Sequence, residues 1–367
     1  MAIRTVIRRF CLSEKNTIAQ KWQDLEQRAN CSVFLSWLWI GNWLDLNASA
    51  IFIIESYQED KIVGLGFFTE NTRNALGFYP VKQWWLHRTG NPKQDQIWIE
   101  YNDFLLDSQC ESAVRQEMID ALTHYKDSAA IQEFVIGLSS TRTLNTFHQM
   151  FNLSRTLIAS RGYSVDLETI KHSYAQDILS KNTRSQIRRS EKLLNEIGTL
   201  SFRVVTNKQQ ILDLLPSIEN AHIKRWRDSH EGSGFTNPVF TAFHHQLINR
   251  DESHVVQIAV LSLDDNDIGY LMNFVYDNQV YFYLSALTNG FDSKIKTGMT
   301  LHCKAIQHYS EQGLQIYDFL GGEARYKRSL SNHAYDLNIN CFYKNNLALR
   351  LENLLRKANA FLRGRFS

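Results

Sequence analysis

Several things are scarce in this chain. No apolar run approaches the ~20 residues that a membrane-spanning helix needs, and the opening MAIRTVIRRF lacks the hydrophobic stretch of a secretion signal. A cytoplasmic protein is expected. Cysteine is sparse: Cys11, Cys31, Cys110, Cys303 and Cys341 are odd in number and never stand at C-x-x-C spacing. That pattern argues against a zinc site or a disulfide framework and for reduced thiols, so no metal is expected. Net charge is small as well, 40 Lys and Arg against 38 Asp and Glu. Nucleic-acid binding would have to rest on local basic clusters and not on the overall field.

What is present is ordinary globular material, 44% hydrophobic and 21% charged over 367 residues. That length is large for one core and implies two domains. Residues 18–29 have helical spacing, and residues 33–46 crowd Trp37, Trp39 and Trp43 into bulky core. Residues 50–57 and 62–68 form a hairpin around the turn QEDK, residues 96–101 add a strand, and a helix over 111–125 precedes a strand over 134–138. The second half repeats the order. Helices over 211–227 and 238–249 lead into strands over 255–263, 268–276 and 280–286, then a helix and a strand. The repetition lies in element order and not in residues. The implied architecture is α/β, two tandem domains of mixed sheets flanked by helices, with a boundary near 153–168.

The stretch 297–327, TGMTLHCKAIQHYSEQGLQIYDFLGGEARYK, is the most informative. Met299, Cys303, Ile306 and Tyr309 recur at helical spacing up to Gly313, a helix-ending residue. Residues 314–320 read as a strand buried on both faces, interrupted by one acid, Asp318, which costs energy unless it is paired or used. Gly321 and Gly322 end the strand and let a ligand approach the backbone, with Glu323, Arg325, Tyr326 and Lys327 close behind.

The string YDFLGGEARYK resembles the D-F-L-x-G-(D/E)-x-x-Y-K signature of bacterial acetyltransferase-like proteins of cellulose and envelope polysaccharide biosynthesis, relatives of the GNAT N-acyltransferases. It is similar, more distantly, to the F-K element of the FemABX peptidyltransferases, which have two GNAT-like domains. SKNTRSQIRRSEKL, residues 180–193, looks like the arginine-rich helix opening the second domain in both groups, and HIKRW, residues 222–226, looks like their H-x-x-R-W. The resemblance implies a GNAT-like domain over 1–160, a catalytic one over 161–344, and a C-terminal helix over 345–367 that returns to the first.

Amide formation from a thioester needs a neutral amine, a place for the developing oxyanion and a donor for the leaving group. The resemblance puts the family's lysine at Lys327, the electrostatic candidate. Tyr326 is a candidate acid or a wall of the acyl channel, and Asp318 a candidate base or a structural partner of an arginine. His222, one turn from Trp226 and on its face, is a candidate for catalysis or acceptor binding. His244, His245, His302 and His308 have no such support. Arg184, Arg188 and Arg189 suit phosphate or carboxylate. Where GNAT enzymes carry Q/R-x-x-G-x-G/A to grip a pyrophosphate at a helix N-terminus, this chain has Ile295-Lys296-Thr297-Gly298-Met299-Thr300. The central glycine remains, and the arginine and last glycine do not. Lys294 and Lys296 supply charge, so acyl-CoA, an acyl carrier protein (acyl-ACP) and aminoacyl-tRNA all stay open as donors.

The implied function is N-acyl transfer to an amine of an envelope sugar, a lipid base or an amino-acid-like acceptor. The alternatives are FemABX-like transfer from charged tRNA, for which no obvious coiled-coil arm is present, and a non-catalytic scaffold of a polysaccharide synthase. Residues 346–365 form a basic amphipathic helix, with Leu347, Leu351, Leu354, Leu355, Ala358, Phe361 and Leu362 on one face and Arg350, Arg356, Lys357, Arg363 and Arg365 around it. Its apolar face is expected to dock on its own domain, or else on a membrane surface.

Overall fold

The computed structural model describes residues 2–47, 50–125, 131–151, 153–228, 232–288, 290–344 and 346–363, except for the side chains of residues 357 and 359–363. The chain divides into two compact units, residues 1–159 with 337–367, and residues 160–336.

In the first unit the elements run β1 (Ile3–Arg9), α1 (Lys15–Glu26), α2 (Trp37–Leu46), β2 (Ile51–Gln58), β3 (Lys61–Ala75), β4 (Tyr79–Leu86), the two-residue β5 (Leu105–Leu106), α3 (Glu111–His124), β6 (Ile131–Ser140) and α4 (Thr141–Met150). Strands β1 to β4 form an antiparallel meander, and β6 adds in parallel to β4. The expected strand over 96–101 does not form. Trp98 and Tyr101 take φ of 46° and 50°, left-handed values that twice interrupt an extended run of six residues, and Tyr79–Leu86 supplies the fourth strand instead. The core lies between the sheet and α3 and α4, where Phe68, Trp84, Phe134 and Phe147 are fully covered. Each such side chain contributes roughly 1.5–3 kcal/mol by leaving water.

The chain continues with β7 (Ser154–Asp166), α5 (Tyr174–Asp177), α6 (Lys181–Ile197), β8 (Leu200–Val205), α7 (Lys208–Trp226), α8 (Pro238–Arg250), β9 (Val256–Leu263), β10 (Asn266–Tyr276), β11 (Gln279–Leu287), α9 (Thr297–Glu311), β12 (Ile316–Gly321), α10 (Arg325–Leu330), β13 (His333–Tyr343) and α11 (Leu347–Arg363). In the second unit β8 to β11 form another antiparallel meander, β12 runs parallel to β11, and β7 pairs antiparallel with β12. In the first unit β13 pairs antiparallel with β6. Setting aside the two-residue β5, the runs β1 to α4 and β8 to α10 share the order β-α-α-β-β-β-α-β-α, each with one parallel junction. Helix α9 forms as its spacing predicts. It buries Leu301, Ala305, Ile306 and Tyr309, and it stops before Gly313, whose φ of 78° suits a residue without Cβ. The second core gathers these with Tyr174, Tyr317 and Phe319.

The parallel junction of the first unit is stitched shut. Asn102, fully buried, donates from Nδ2 to the carbonyls of Leu86 at 2.7 Å and Gly137 at 3.0 Å, bridging the ends of β4 and β6. Its Oδ1 lies 3.0 Å from Nδ1 of His87, whose Nε2 accepts the Phe67 N–H at 3.0 Å. That pattern fixes the neutral Nδ1–H tautomer. Replacing Asn102 by Ala strands two carbonyls and an imidazole N–H at once. The expected loss is about 3 kcal/mol or more, read as a lower urea midpoint at unchanged slope.

Candidate active site

In the second unit the parallel junction opens. β11 and β12 pair only at Gln279 with Ile316, Val280 with Tyr317 and Tyr281 with Asp318. Beyond these, β11 continues to Leu287 and β12 to Gly321 without further pairing between them. Irregularities on both outer neighbours accompany the parting. The β10–β11 register shifts between Met272 and Asn273, leaving Tyr283 as an extra residue, and the β12–β7 register shifts between Asp318 and Gly321. Leu320 within that second irregularity takes φ of 61°.

Asp318 holds this strand end. It is 3% exposed, and its Oδ1 accepts the Leu320 N–H at 2.7 Å and the Tyr335 hydroxyl. Tyr335 reaches it by lying across Gly162, where a Cβ would come within 2.2 Å of the ring. This carboxylate braces the irregular turn, an acceptor role that its place in the strand alone did not predict.

Lys327 lies on the short helix α10 and folds back onto the strand end, donating from Nζ to the carbonyl of Gly321 at 2.6 Å and, more weakly, of Leu320 at 3.5 Å. Its Nζ also lies 3.5 Å from where a Cβ on Gly322 would stand, so a side chain there would crowd the ammonium. Glu323 and Gly322 are exposed. Tyr326, next in the chain, stacks on His302 with centroids 5.5 Å apart and planes 25° apart. Burial pushes the Tyr326 phenol up to about 12, so it keeps its proton at neutral pH and can act as a donor.

His302, which the sequence reading set aside, is the centre of this floor. It contacts Phe282 at 4.5 Å and Phe319 at 5.1 Å, residues of the two diverging strands, and its Nδ1 lies 3.0 Å from the Tyr317 hydroxyl. Burial, then the charges of Lys327 and Arg225, bring its pKa down to about 3. The clue in the sequence was its spacing from Ala305, Ile306 and Tyr309 on the inward stripe of α9. Arg225 was likewise not singled out, yet its charge also acts on Tyr326.

His222 sits near the end of α7. Its Nδ1 lies 2.7 Å from the Ser233 hydroxyl, its ring stacks on Trp226 at 5.9 Å, and Phe235 meets it edge-on. Burial, then Arg225, lower it to about 4, so it is neutral in ordinary buffer. Trp226 is 38% exposed and offers a platform.

The residues expected to bind phosphate divide. α9 begins without a side-chain cap at buried Thr297 and half-buried Gly298, which leaves its first amides for a ligand. Lys296 does not point its charge there: its Nζ donates to the Ser293 carbonyl at 2.6 Å, and its N–H to the Ser190 hydroxyl at 2.8 Å. Ser190 thereby fixes α6 against the first turn of α9. On α6, Arg184 donates to the Gln176 carbonyl at 3.3 Å. Arg188 and Arg189 are exposed, with no carboxylate partner among the described residues. None of the three is tied to the Lys327 turn. No group of His, Cys, Asp and Glu suited to a metal occurs among the described residues.

Residues 181–328 match the family described as acetyltransferase (GNAT) domain. No curated protein matches the chain. Among solved structures, FemX is similar over 95% of this chain and 99% of its own, at TM-score 0.60 and 9% identity. L-PGS from Bacillus licheniformis covers 92% of this chain and 96% of its own at TM-score 0.55 and 13% identity. The C-terminal domain of a putative lysylphosphatidylglycerol synthetase from Agrobacterium fabrum covers 92% and 95%, at TM-score 0.53 and 13% identity. At these identities the likeness is one of fold.

One consequence concerns acid. The unfolded chain protonates imidazoles near 6.5, whereas the fold holds His87, His222 and His244 at about 4 and His302 at about 3. The unfolded state then binds more protons, so stability is complete above about 6.5 and falls as pH drops toward 4. Thermal melting across that window should show a falling Tm, with a shallower slope for His302→Phe. The match over residues 181–328 is to an acetyltransferase (GNAT) domain, and the enzyme class it supports is acyl transfer.

Proposed function

We propose that the second unit joins an acyl group, carried as a thioester on coenzyme A or an acyl carrier protein, to the amine of an envelope sugar, a lipid base or an amino-acid-like acceptor. The observation that carries this reading is the parting of β11 from β12 beyond Tyr281 and Asp318, with Lys327 and Tyr326 at its mouth. The thioester arm lies in the wedge and its phosphates meet the first amides of α9, helped by Lys294 and the exposed arginines of α6. The amine nitrogen attacks the carbonyl, the C–N bond forms and the C–S bond breaks. The Lys327 ammonium opposes the charge growing on the carbonyl oxygen. Tyr326 gives its proton to the departing thiolate, and the proton leaving the amine passes to water or to neutral His222. The acceptor lies along Trp226 and His222. The first unit, whose equivalent junction is sealed by Asn102, takes no thioester.

A second reading, transfer from aminoacyl-tRNA, is favoured by the likeness in fold to FemX over nearly the whole of both chains and by the unpartnered arginines of α6. Membership of the polysaccharide-biosynthesis group, with a scaffold role as its non-catalytic form, rests on the YDFLGGEARYK string alone.

Release of free thiol from a panel of acyl-CoA and acyl-carrier donors, with mixed amine acceptors, tests the proposal. Turnover is expected, with kcat lowered ~10²–10³-fold in Lys327→Ala and ~10-fold or more in Tyr326→Phe, at little change in KM. Transfer only from charged tRNA would replace this reading with the second. Inactivity with every donor would leave the scaffold.

A further inference from the structure

The C-terminal helix α11 is seated the opposite way from its amphipathic pattern. Its apolar stripe does not face its own unit: Leu347 is 83% exposed, Leu351 50%, Leu354 64% and Leu355 49%. The buried side instead presents Leu349 and the carboxylate of Glu352, 6% exposed. Glu352 accepts from Arg73 at 2.8 and 2.9 Å and from Arg356 at 3.0 Å, and Arg155 lies 3.6 Å away. Arg73 in turn holds buried Glu133. These pairs bring the Glu352 carboxyl down to about 2. Helix α11 is therefore fastened by Leu349 and an ion-pair network on one side and leaves Leu347, Leu351, Leu354 and Leu355 outside, which corrects the expectation that this part of the apolar face docks inward. Phe361, Leu362, Lys357 and Arg363 have side chains outside the described residues, as does Arg365 entirely.

Two further features stand beside this stripe. Asn346, just before Leu347, donates to the Tyr79 hydroxyl at 3.1 Å, so Phe78 at the β3–β4 turn, 77% exposed, lies near the start of the helix. At the same end a cavity of about 310 Å³ is lined by Met150, Phe151, Leu153, Lys344 and Arg350 among others, with two cations and no carboxylate. Glu352 is the only acid between residues 346 and 367, against five Lys and Arg, and its charge is already paired inside. The exposed charge at this end is positive, on Arg350 and on Arg356, which shares Glu352 with Arg73, and the leucine face lies exposed beside it. An exposed apolar stripe bordered by cations is the pattern of a helix lying in the interface of an anionic membrane.

We infer that α11 is a membrane-surface helix, its leucines entering the acyl boundary while Arg350 and Lys344 take the phosphate of an anionic phospholipid in the cavity at its foot. This is independent of the acyl-transfer chemistry and concerns where the enzyme works. The test is co-sedimentation of the full chain with phosphatidylglycerol/phosphatidylcholine vesicles and with phosphatidylcholine vesicles alone. A Leu351→Glu/Leu354→Glu/Leu355→Glu variant, a milder Leu351→Ser and an Arg350→Gln variant are compared. Binding is expected only with phosphatidylglycerol, to weaken with salt, and to drop at least ~10-fold in the triple variant and less in Leu351→Ser. Melting temperatures equal to the parent's confirm folding, and Leu351→Ser decides the matter if the triple variant does not fold. Inorganic phosphate at matched ionic strength separates the sources. If it binds the chain and vesicles do not, the cavity is a free-phosphate site and the inference fails. It also fails if the leucine variants bind vesicles as the parent does. Sedimentation velocity covers the remaining outcome, since a parent dimer that the triple variant makes monomeric, without vesicle binding, would assign the stripe to a second copy.

Discussion

The separation of two parallel strands governs the second unit. β11 and β12 exchange hydrogen bonds over three residue pairs and then part, and a pair that stops bonding must have its edges occupied by something else. Here aromatic rings of Phe282, Phe319 and Tyr326 gather around His302 in the opening. The departing end of β12 is held by Asp318 and Tyr335 on one side and by the Lys327 ammonium on the other. The cation stays at the mouth of the wedge because main-chain carbonyls hold it there.

The first unit repeats the element order and solves the same junction differently. One asparagine bridges the two strand ends, a neutral histidine backs it, and the segment after Tyr101 fills the space. A sealed junction gives stability where an open one gives room for a ligand. The same topology thus has its strand pair bridged by an asparagine in one half and packed with aromatic rings in the other.

Burial keeps the chemistry of the cleft simple in its protonation states. His222 and His302 are neutral and Tyr326 is protonated across the physiological range, so the lysine carries the positive charge at the strand end. An aromatic cluster of uncharged side chains, with the charges of Lys327 and Arg225 acting on it, suits a thioester, whose carbonyl is uncharged until attacked.

Much of this was legible in the sequence. Helical spacing up to Gly313, an apolar strand ending in two glycines and the repeated order of helices and strands all follow from periodicity and turn chemistry, which are local. Lys327 and Tyr326 were legible because they stand beside the strand end in the chain itself. What periodicity could not decide was which polar groups in the interior meet each other. That Asp318 meets Tyr335, seventeen positions on, is invisible to local pattern. His302 looked like background until two strands brought their phenylalanines to its faces. The strand assigned to 96–101 gave way to Tyr79–Leu86 because left-handed turns at Trp98 and Tyr101 serve a seal made by long-range contact. In α11 the amphipathic pattern was plain, but its direction was set by Arg73, nearly 280 residues away. Sequence by itself determined most of the elements and which side chains stand beside the end of β12, since both depend on neighbours along the chain. Tertiary structure decided which junction opens and which face of a helix looks outward, since those depend on partners only folding can bring together.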